Sequence, residues 1–288
     1  MLTRIGLALV WLLHFLPLGV LAKLGEWMGM LLFMLGHERR NVARTNLRLC
    51  FPHWDEAKRE IILRRHFRAF GRGLLEHGIL WWGSRRSVEQ LVHIEGIEHW
   101  RGIENRPVIL LAPHFIGLDM GGIRLLAGDY RFNSVYSRQK SAAFDAILIH
   151  GRTRFGNITL FARQDGIRPV VKALKNGEAF YYLPDMDLGT RDSVFAPFFG
   201  VQAATITGLS RIAKLANALV VPCVTRQLPG GYVVRLYPAW DDFPSGDLFA
   251  DARRMNAFIE ERVLEMPEQY YWLHKRFKTR PPGESKFY

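Results

Sequence analysis

The chain has 288 residues, 49% hydrophobic and 23% charged, with a formal net charge of +12. Such a length and balance suit one sizeable domain, or one domain with an appendage, and argue against disorder. The cysteines, Cys50 and Cys223, are far apart and lack Cys neighbours at metal-ligand spacing. This disfavours a disulfide framework or a zinc site and leaves the charge to attract nucleic acid, anionic lipid or an acidic protein.

Residues 5–22 carry no formal charge and are interrupted only by His14 and Pro17, which barely reaches transmembrane length. A second apolar run covers residues 27–36. A signal peptide cleaved after Ala22 would leave a mature chain beginning with that second run, so residues 1–36 are expected to form a membrane anchor, spanning or deeply embedded. Only Arg4 precedes the first run, whereas Lys23, Arg39, Arg40, Arg44 and Arg48 follow it. The positive-inside bias therefore places the rest of the chain, residues 37–288, in the cytoplasm as a single domain.

Residues 37–85 come next, as basic amphipathic helices. In "HERRNVARTNLRLCFP", Arg40, Arg44 and Arg48 are spaced by four and align on a helix; in "EAKREIILRRHFRAFGRGLLEHGILWW", Arg64, Arg68 and Arg72 repeat the stripe beside an apolar face of Ile62, Phe67, Phe70, Leu74 and Leu75. Two readings stand: solvated arginines on ordinary surface helices, or a basic rim on anionic headgroups. Nucleic acid is not an expected partner, because no helix-turn-helix, zinc-finger or RNA-recognition signature accompanies the charge.

Residues 86–288 read as an α/β core. Strands are expected at 107–114, 132–138, 157–163, 178–185, 219–227 and 232–240. Helices are expected at 117–127, 142–156, 167–177 (stopping at Gly177), 205–218 and 251–266. Strands alternating with helices predict a mixed, largely parallel sheet flanked by helices, with the last two strands, joined by "LPGG", as an antiparallel hairpin. Ligands in such sheets gather beyond the carboxyl ends of strands, where His114 and Asp185 both fall.

His114 is followed at +5 by Asp119, a spacing that His93/Glu98 and His99/Glu104 share. On a continuous helix, five residues turn the second side chain about 140° from the first. The pair can meet only across a backbone turn, and the end of a strand followed by Gly117 offers one to His114 and Asp119 alone. A carboxylate on one imidazole nitrogen makes the other a base. No serine or cysteine flanks the motif as an evident nucleophile, although Ser134, Ser137 and Ser141 stay open. The pair suits activation of a substrate hydroxyl and direct acyl transfer without a covalent intermediate; a buried histidine satisfied by backbone is the bland alternative. "GLDMGG" is too irregular for a dinucleotide loop, and no metal or cofactor is expected.

"APHFIGLD" resembles the histidine–four residues–aspartate motif of the lysophospholipid acyltransferase superfamily. "LPDMDLGTRDSVFAPFFG" (183–200) and "PEQYYWLHKRFKTRP" (267–281) are similar to the lipid A late acyltransferases, and the resemblance runs over nearly the whole chain. It implies an acyl carrier protein thioester as donor, and as acceptor the hydroxyl of a 3-hydroxyacyl chain on the anionic lipid A precursor, at the cytoplasmic face of a bacterial inner membrane. It also implies His114 as general base and Asp119 as its orienting partner. Arg152 or Arg154, Arg163, and Asp185 or Asp187 match positions near the family's active site, as substrate-binding residues; the aspartates could equally cap the turn "DLGT". Another membrane lysophospholipid or glycolipid O-acyltransferase of the superfamily is the alternative. An esterase using water, and a non-enzymatic basic membrane-binding module in which His114 is dispensable, are more distant ones.

Overall fold

The computed structural model describes residues 2–103, 106–156 and 158–288. The N-terminal region is helical: α1 (Leu2–Leu13), α2 (Leu18–Leu35), α3 (His37–Cys50), α4 (Glu56–Trp82) and α5 (Arg85–Leu91). The apolar run 5–22 is therefore not one helix. Pro17 lacks an N–H and sits at the N-cap of α2, so the run breaks there, and the apolar helix long enough to cross a membrane is Leu18–Leu35.

α2 is not a free-standing rod. Leu21, Ala22 and Phe33 are buried, and glycines let α2 and α4 touch backbone to backbone. A Cβ on Gly25 would lie 2.5 Å from the Cα of Arg72, and one on Gly71 2.5 Å from the Cα of Gly29. The opposite faces of α1 and α2 are uncovered: Phe15 is 67% exposed, Trp27 70% and Leu35 68%. Exposed large apolar side chains grouped this way mark an interaction surface. Gly36 separates α2 from α3, where the domain boundary was expected, but the packing of α2 on α4 crosses it.

The arginine stripes only partly face outward. Arg72 is 6% exposed, bonded to Glu76 at 2.7 Å and to the Leu228 carbonyl at 2.7 Å, while Tyr232 donates to the same Glu76 carboxylate. Arg40 holds the Phe33 carbonyl and His37, and Arg44 pairs with Glu60 at 3.0 Å. Arg48 and Arg68 remain exposed, as does Arg64, which reaches Glu60 at 3.3 Å. Four-residue spacing aligned these side chains on the helix; packing of α4 against Leu228 and Tyr232 removed Arg72 from the surface.

The remaining chain forms β1 (Val92–Glu95), α6 (Glu98–Arg101), β2 (Val108–Leu111), α7 (Leu118–Ala127), β3 (Phe132–Tyr136), α8 (Ala142–Thr153), β4 (Ile158–Ala162), α9 (Arg168–Lys175), β5 (Ala179–Tyr182), β6 (Ser193–Phe198), β7 (Val201–Ile206), α10 (Gly208–Ala216), β8 (Leu219–Leu228), β9 (Gly231–Leu236) and α11 (Leu248–Glu265). Seven strands make one sheet in the order β1-β9-β8-β2-β5-β3-β4, parallel throughout except for β8 against β9. The expected mixed, largely parallel sheet flanked by helices is what forms. Alternation along central β2 sends Ile109 and Leu111 into one apolar layer, and Val108 and Leu110 into the other.

Two segments depart from expectation. β6 and β7 form a separate antiparallel hairpin that periodicity did not reveal, and Thr205 and Ile206 belong to it rather than to the following helix, which starts at Gly208. A proline inside a strand, here Pro197, is tolerated on such a two-stranded ribbon and masks it in the sequence. The first turn of α7, "GLDMGG", serves close packing: a Cβ on Gly121 would collide with the Thr225 hydroxyl and come within 3.0 Å of Val234.

Candidate functional site

His114 and Asp185 come together because two neighbouring parallel strands end in step. β2 pairs with β5 in the register Leu111↔Tyr182, so His114 and Asp185 both stand three residues past that pair. Each strand is followed by a residue and then a proline, Pro113 and Pro184, which cannot extend a ladder. The last rung is the Ala112 N–H to the Tyr182 carbonyl at 2.8 Å. Beyond it the Asp185 carboxylate accepts twice from His114, from the backbone N–H at 3.0 Å and from Nδ1 at 2.6 Å.

Asp185 is 1% exposed. Burial pushes its carboxyl up, but the His114 charge, the two hydrogen bonds from His114 and the Arg276 guanidinium outweigh that and hold it at about 2. An ionised, buried carboxylate on Nδ1 fixes the tautomer and leaves Nε2 as the basic nitrogen; among the described residues nothing hydrogen-bonds it. The C-terminal segment locks the same loop from the other side. Tyr271 N–H donates to the His114 carbonyl and Ile116 N–H to the Gln269 carbonyl, both at 2.9 Å.

Asp119, expected to orient His114, lies elsewhere. It sits in the first turn of α7, and its carboxylate takes Arg152 at 2.8 and 3.2 Å from Nη2 and 3.1 Å from Nε, with His77 Nε2 at 3.5 Å. Burial raises its carboxyl, and Arg152 and His77 together bring it far below the ordinary range. The strand-to-helix turn forms as expected, but it directs Asp119 toward α8 and α4, and the Nδ1 position is taken by Asp185.

Of the remaining expected residues, Arg152 and Arg163 line the cavity beside His114, and Arg163 is exposed. Arg154 does not reach it: its guanidinium caps the C-terminal end of α4 through the carbonyls of Leu80, at 2.8 Å, and Gly83. Asp187 is 2% exposed and bonded to the Gly189 N–H at 3.0 Å and to Thr279 at 2.6 and 2.7 Å. It is the turn-capping aspartate, fastening "DMDLGT" to the C-terminal segment. Glu104, of the His99/Glu104 spacing, lies outside the described residues, as does Asn157, the first residue of the expected strand 157–163.

The cavity holds about 470 Å³ between α8, α9 and β3–β5. Leu160, Val170, Phe180 and Ile212 give it apolar walls, and His114 and Arg152 stand in its lining. Its size and lining suit an aliphatic chain. No group of three or more His, Cys, Asp or Glu residues able to hold a metal occurs among the described residues.

His274 and His66 brace the segment that holds His114 in place. His274 Nε2 accepts the Asp187 N–H at 2.9 Å, and His66 Nδ1 donates to the Glu268 carbonyl at 2.9 Å. Burial lowers both to about 4, with the Arg276 charge adding to the effect at His274. Each binds a proton more readily in the unfolded chain, so their contribution to stability is complete above about pH 6.5 and is lost as the pH falls toward 4, at most about 3 kcal/mol each. Acid titration followed by tryptophan fluorescence is expected to show unfolding in that window, with a shallower pH dependence in His274→Gln. An unfolding transition confined below pH 3 contradicts this account.

An imidazole on a buried carboxylate, at the end of a parallel strand and over an apolar cavity, defines a class: an α/β protein whose site can take up a proton beside an aliphatic ligand. The model of the bacterial lipid A biosynthesis acyltransferases matches residues 1–279. The chain belongs to that family. It is 36% identical to the lipid A biosynthesis lauroyltransferase of Escherichia coli (strain K12), over 98% of this chain and 93% of that protein. To the palmitoleoyltransferase of the same organism it is 35% identical, over 100% and 94%, and to the myristoyltransferase 33%, over 93% and 83%. Among solved structures, the 1-acyl-sn-glycerophosphate acyltransferase of Thermotoga maritima aligns at 17% identity with a TM-score of 0.40, covering 86% of this chain and 96% of that one.

Proposed function

We propose that the protein transfers a fatty acyl group from an acyl carrier protein thioester to the hydroxyl of a 3-hydroxyacyl chain on the lipid A precursor, at the cytoplasmic face of the bacterial inner membrane. One observation carries this reading: His114, anchored through Nδ1 by buried Asp185, has Nε2 without a partner among the described residues and stands in the wall of an apolar cavity of about 470 Å³. The acceptor hydroxyl gives its proton to Nε2 as its oxygen bonds to the thioester carbonyl carbon. The tetrahedral intermediate then collapses, the C–S bond breaks, and the leaving sulfur takes the proton back from the imidazolium. His114 needs no acyl group of its own in this sequence.

The relatives support the acceptor, since their names place them in lipid A biosynthesis with lauroyl, palmitoleoyl and myristoyl chains. The formal charge of +12 suits an acidic carrier protein and a phosphorylated lipid alike. The exposed apolar faces of α1 and α2 support residence at a membrane, where the acceptor is held. Arg152 and Arg163, in the cavity lining, are the arginines placed to meet substrate; Arg152 is already committed to Asp119, which leaves Arg163 as the freer cation for a phosphate or a thioester carbonyl.

The test is a transfer assay with purified protein, labelled acyl carrier protein thioesters of graded chain length, and a panel of lipid A precursor, lysophosphatidic acid and no acceptor. Transfer to the lipid A precursor in large excess over the others is the expected result. Preference for the lysolipid identifies a glycerolipid enzyme instead, and equal turnover without acceptor identifies an esterase.

A further inference from the structure

We propose that donor and acceptor reach His114 from opposite sides of a partition, the donor chain through the large cavity and the lipid acceptor through a second, smaller one under α4. This placement rests on the reading of the chain as a lipid acyltransferase. The second cavity holds about 140 Å³ and is bounded by Phe70, Leu74 and His77 of α4, by Ile116 and Asp119, and by Tyr271. His114 lines both cavities. The rest of the partition is the Asp119–Arg152 ion pair, with Asp119 facing the small cavity and Arg152 the large one, joined at 2.8 Å. His77 braces Asp119 from the small-cavity side, at 3.5 Å.

The two cavities open into different surroundings. The small one reaches the surface at Leu74, 36% exposed, on the helix that also bares Ile61 and packs against α1 and α2, whose outward faces are apolar. A chain carrying a hydroxyl partway along it can slide in there while its remainder stays in apolar surroundings. The large cavity is ringed by loops at the carboxyl ends of β3 and β4. Its lining residues Ser137, Gln139 and Ile167 alternate in sequence with exposed Arg138, Lys140 and Arg168. Cations around an apolar hole suit an acidic soluble carrier that inserts an acyl chain.

Asp185 holds Nδ1, so the ring cannot swing between two stations, and both substrates must converge on Nε2 together. The hydroxyl proton passes to Nε2 from the small-cavity side, and the oxygen bonds to a carbonyl carbon presented from the large-cavity side. The C–S bond breaks, and the freed sulfur is protonated by the imidazolium. The arrangement requires a ternary complex.

The test is a matrix of initial rates with both substrates varied, using whichever hydroxylated lipid the wild type acylates. Leu74→Trp and Ile116→Trp fill the small cavity; Ile167→Trp and Leu188→Trp fill the large one. Leu74, Ile167 and Leu188 are exposed, so their variants tolerate the added volume even if Ile116→Trp folds poorly. The first pair is expected to raise the acceptor KM by about tenfold or more and the donor KM by less than about twofold, and the second pair to do the reverse. Wild-type double-reciprocal lines are expected to intersect. Parallel lines, a donor KM effect from Leu74→Trp, or no KM effect from either pair overturns the placement. Failure of the wild type to prefer the lipid A precursor strikes the functional reading alone, because the KM split is then read with the preferred lipid.

Discussion

His114→Ala is expected to abolish acyl transfer, and Asp185→Asn to lower kcat by about three orders of magnitude with little change in either KM. The alanine removes the imidazole to which the acceptor hydroxyl gives its proton. The asparagine keeps the shape but loses the charge that stabilises the imidazolium, and its amide can present N–H to Nδ1 and favour the wrong tautomer. Because Asp185 is 1% exposed and also receives the His114 backbone N–H, the variant is to be checked for folding by near-ultraviolet circular dichroism. Asp119→Asn is expected to cost activity by another route: it frees Arg152 and opens the partition, so its effect should overlap with that of Arg152→Gln in a double-mutant cycle. His93→Ala and His99→Ala, on and beside edge strand β1, serve as controls with near wild-type rates. If Asp119→Asn matches Asp185→Asn in kcat and pH profile and adds nothing to it in combination, Asp119 orients the base after all. An active His114→Ala removes the catalytic proposal.

The comparison of these two aspartates shows what a sequence can reveal about such a site. Five-residue spacing pointed to Asp119 because it is local, and local reasoning finds partners within a turn. The partner in the structure is seventy-one positions away, supplied by strand register. A trace of it was legible: "LLAPH" and "YYLPD" share one punctuation, an apolar run, one residue, proline, then a polar group, and two such strands laid side by side bring the polar groups level. Which strands are neighbours was not legible, since β2 has β5 on one side and β8 on the other while β3 and β4 intervene in sequence. The parallel sheet itself could be read from alternating strands and helices, because that pattern is local. Arg72 and Arg154 show the reverse error. Spacing suggested a surface stripe for Arg72 and the family resemblance a substrate contact for Arg154, and packing against the β8–β9 hairpin and the end of α4 claimed the two guanidiniums.

Gly29→Leu and Gly71→Leu are each expected to destabilise the protein by about 3 kcal/mol or more, lowering its thermal midpoint in detergent by many degrees or preventing folding. At the crossing of α2 and α4 no room exists for a side chain. A Cβ on Gly29 would lie 2.7 Å from the carbonyl carbon of Phe67, and one on Gly71 2.5 Å from the Cα of Gly29. Both clashes are with helical backbone, so relief requires the helices to part. Parting them unpacks the edge-on Phe33–Phe67 ring pair, 5.4 Å between centroids, and bares the buried Leu21. Gly6→Leu and Gly19→Leu are the controls: nothing lies within 4 Å of a Cβ at either position, and each should stay within about 0.5 kcal/mol of wild type. Membrane association should behave differently from stability, since Trp27, Leu31 and Leu35 lie on the uncovered face and are untouched by any of these changes. The Gly29 and Gly71 variants that do fold are expected to sediment with membranes as wild type does while losing turnover, because α4 also carries Phe70, Leu74 and His77 to the cavity beside His114. By the same packing, deletion of residues 1–36 should do more than release the protein from membranes. It strips Leu21, Ala22 and Phe33 from the interior and should yield aggregated rather than soluble protein. A soluble, active deletion, or a Gly29→Leu variant melting at the wild-type temperature, contradicts the view of α2 as part of the catalytic body.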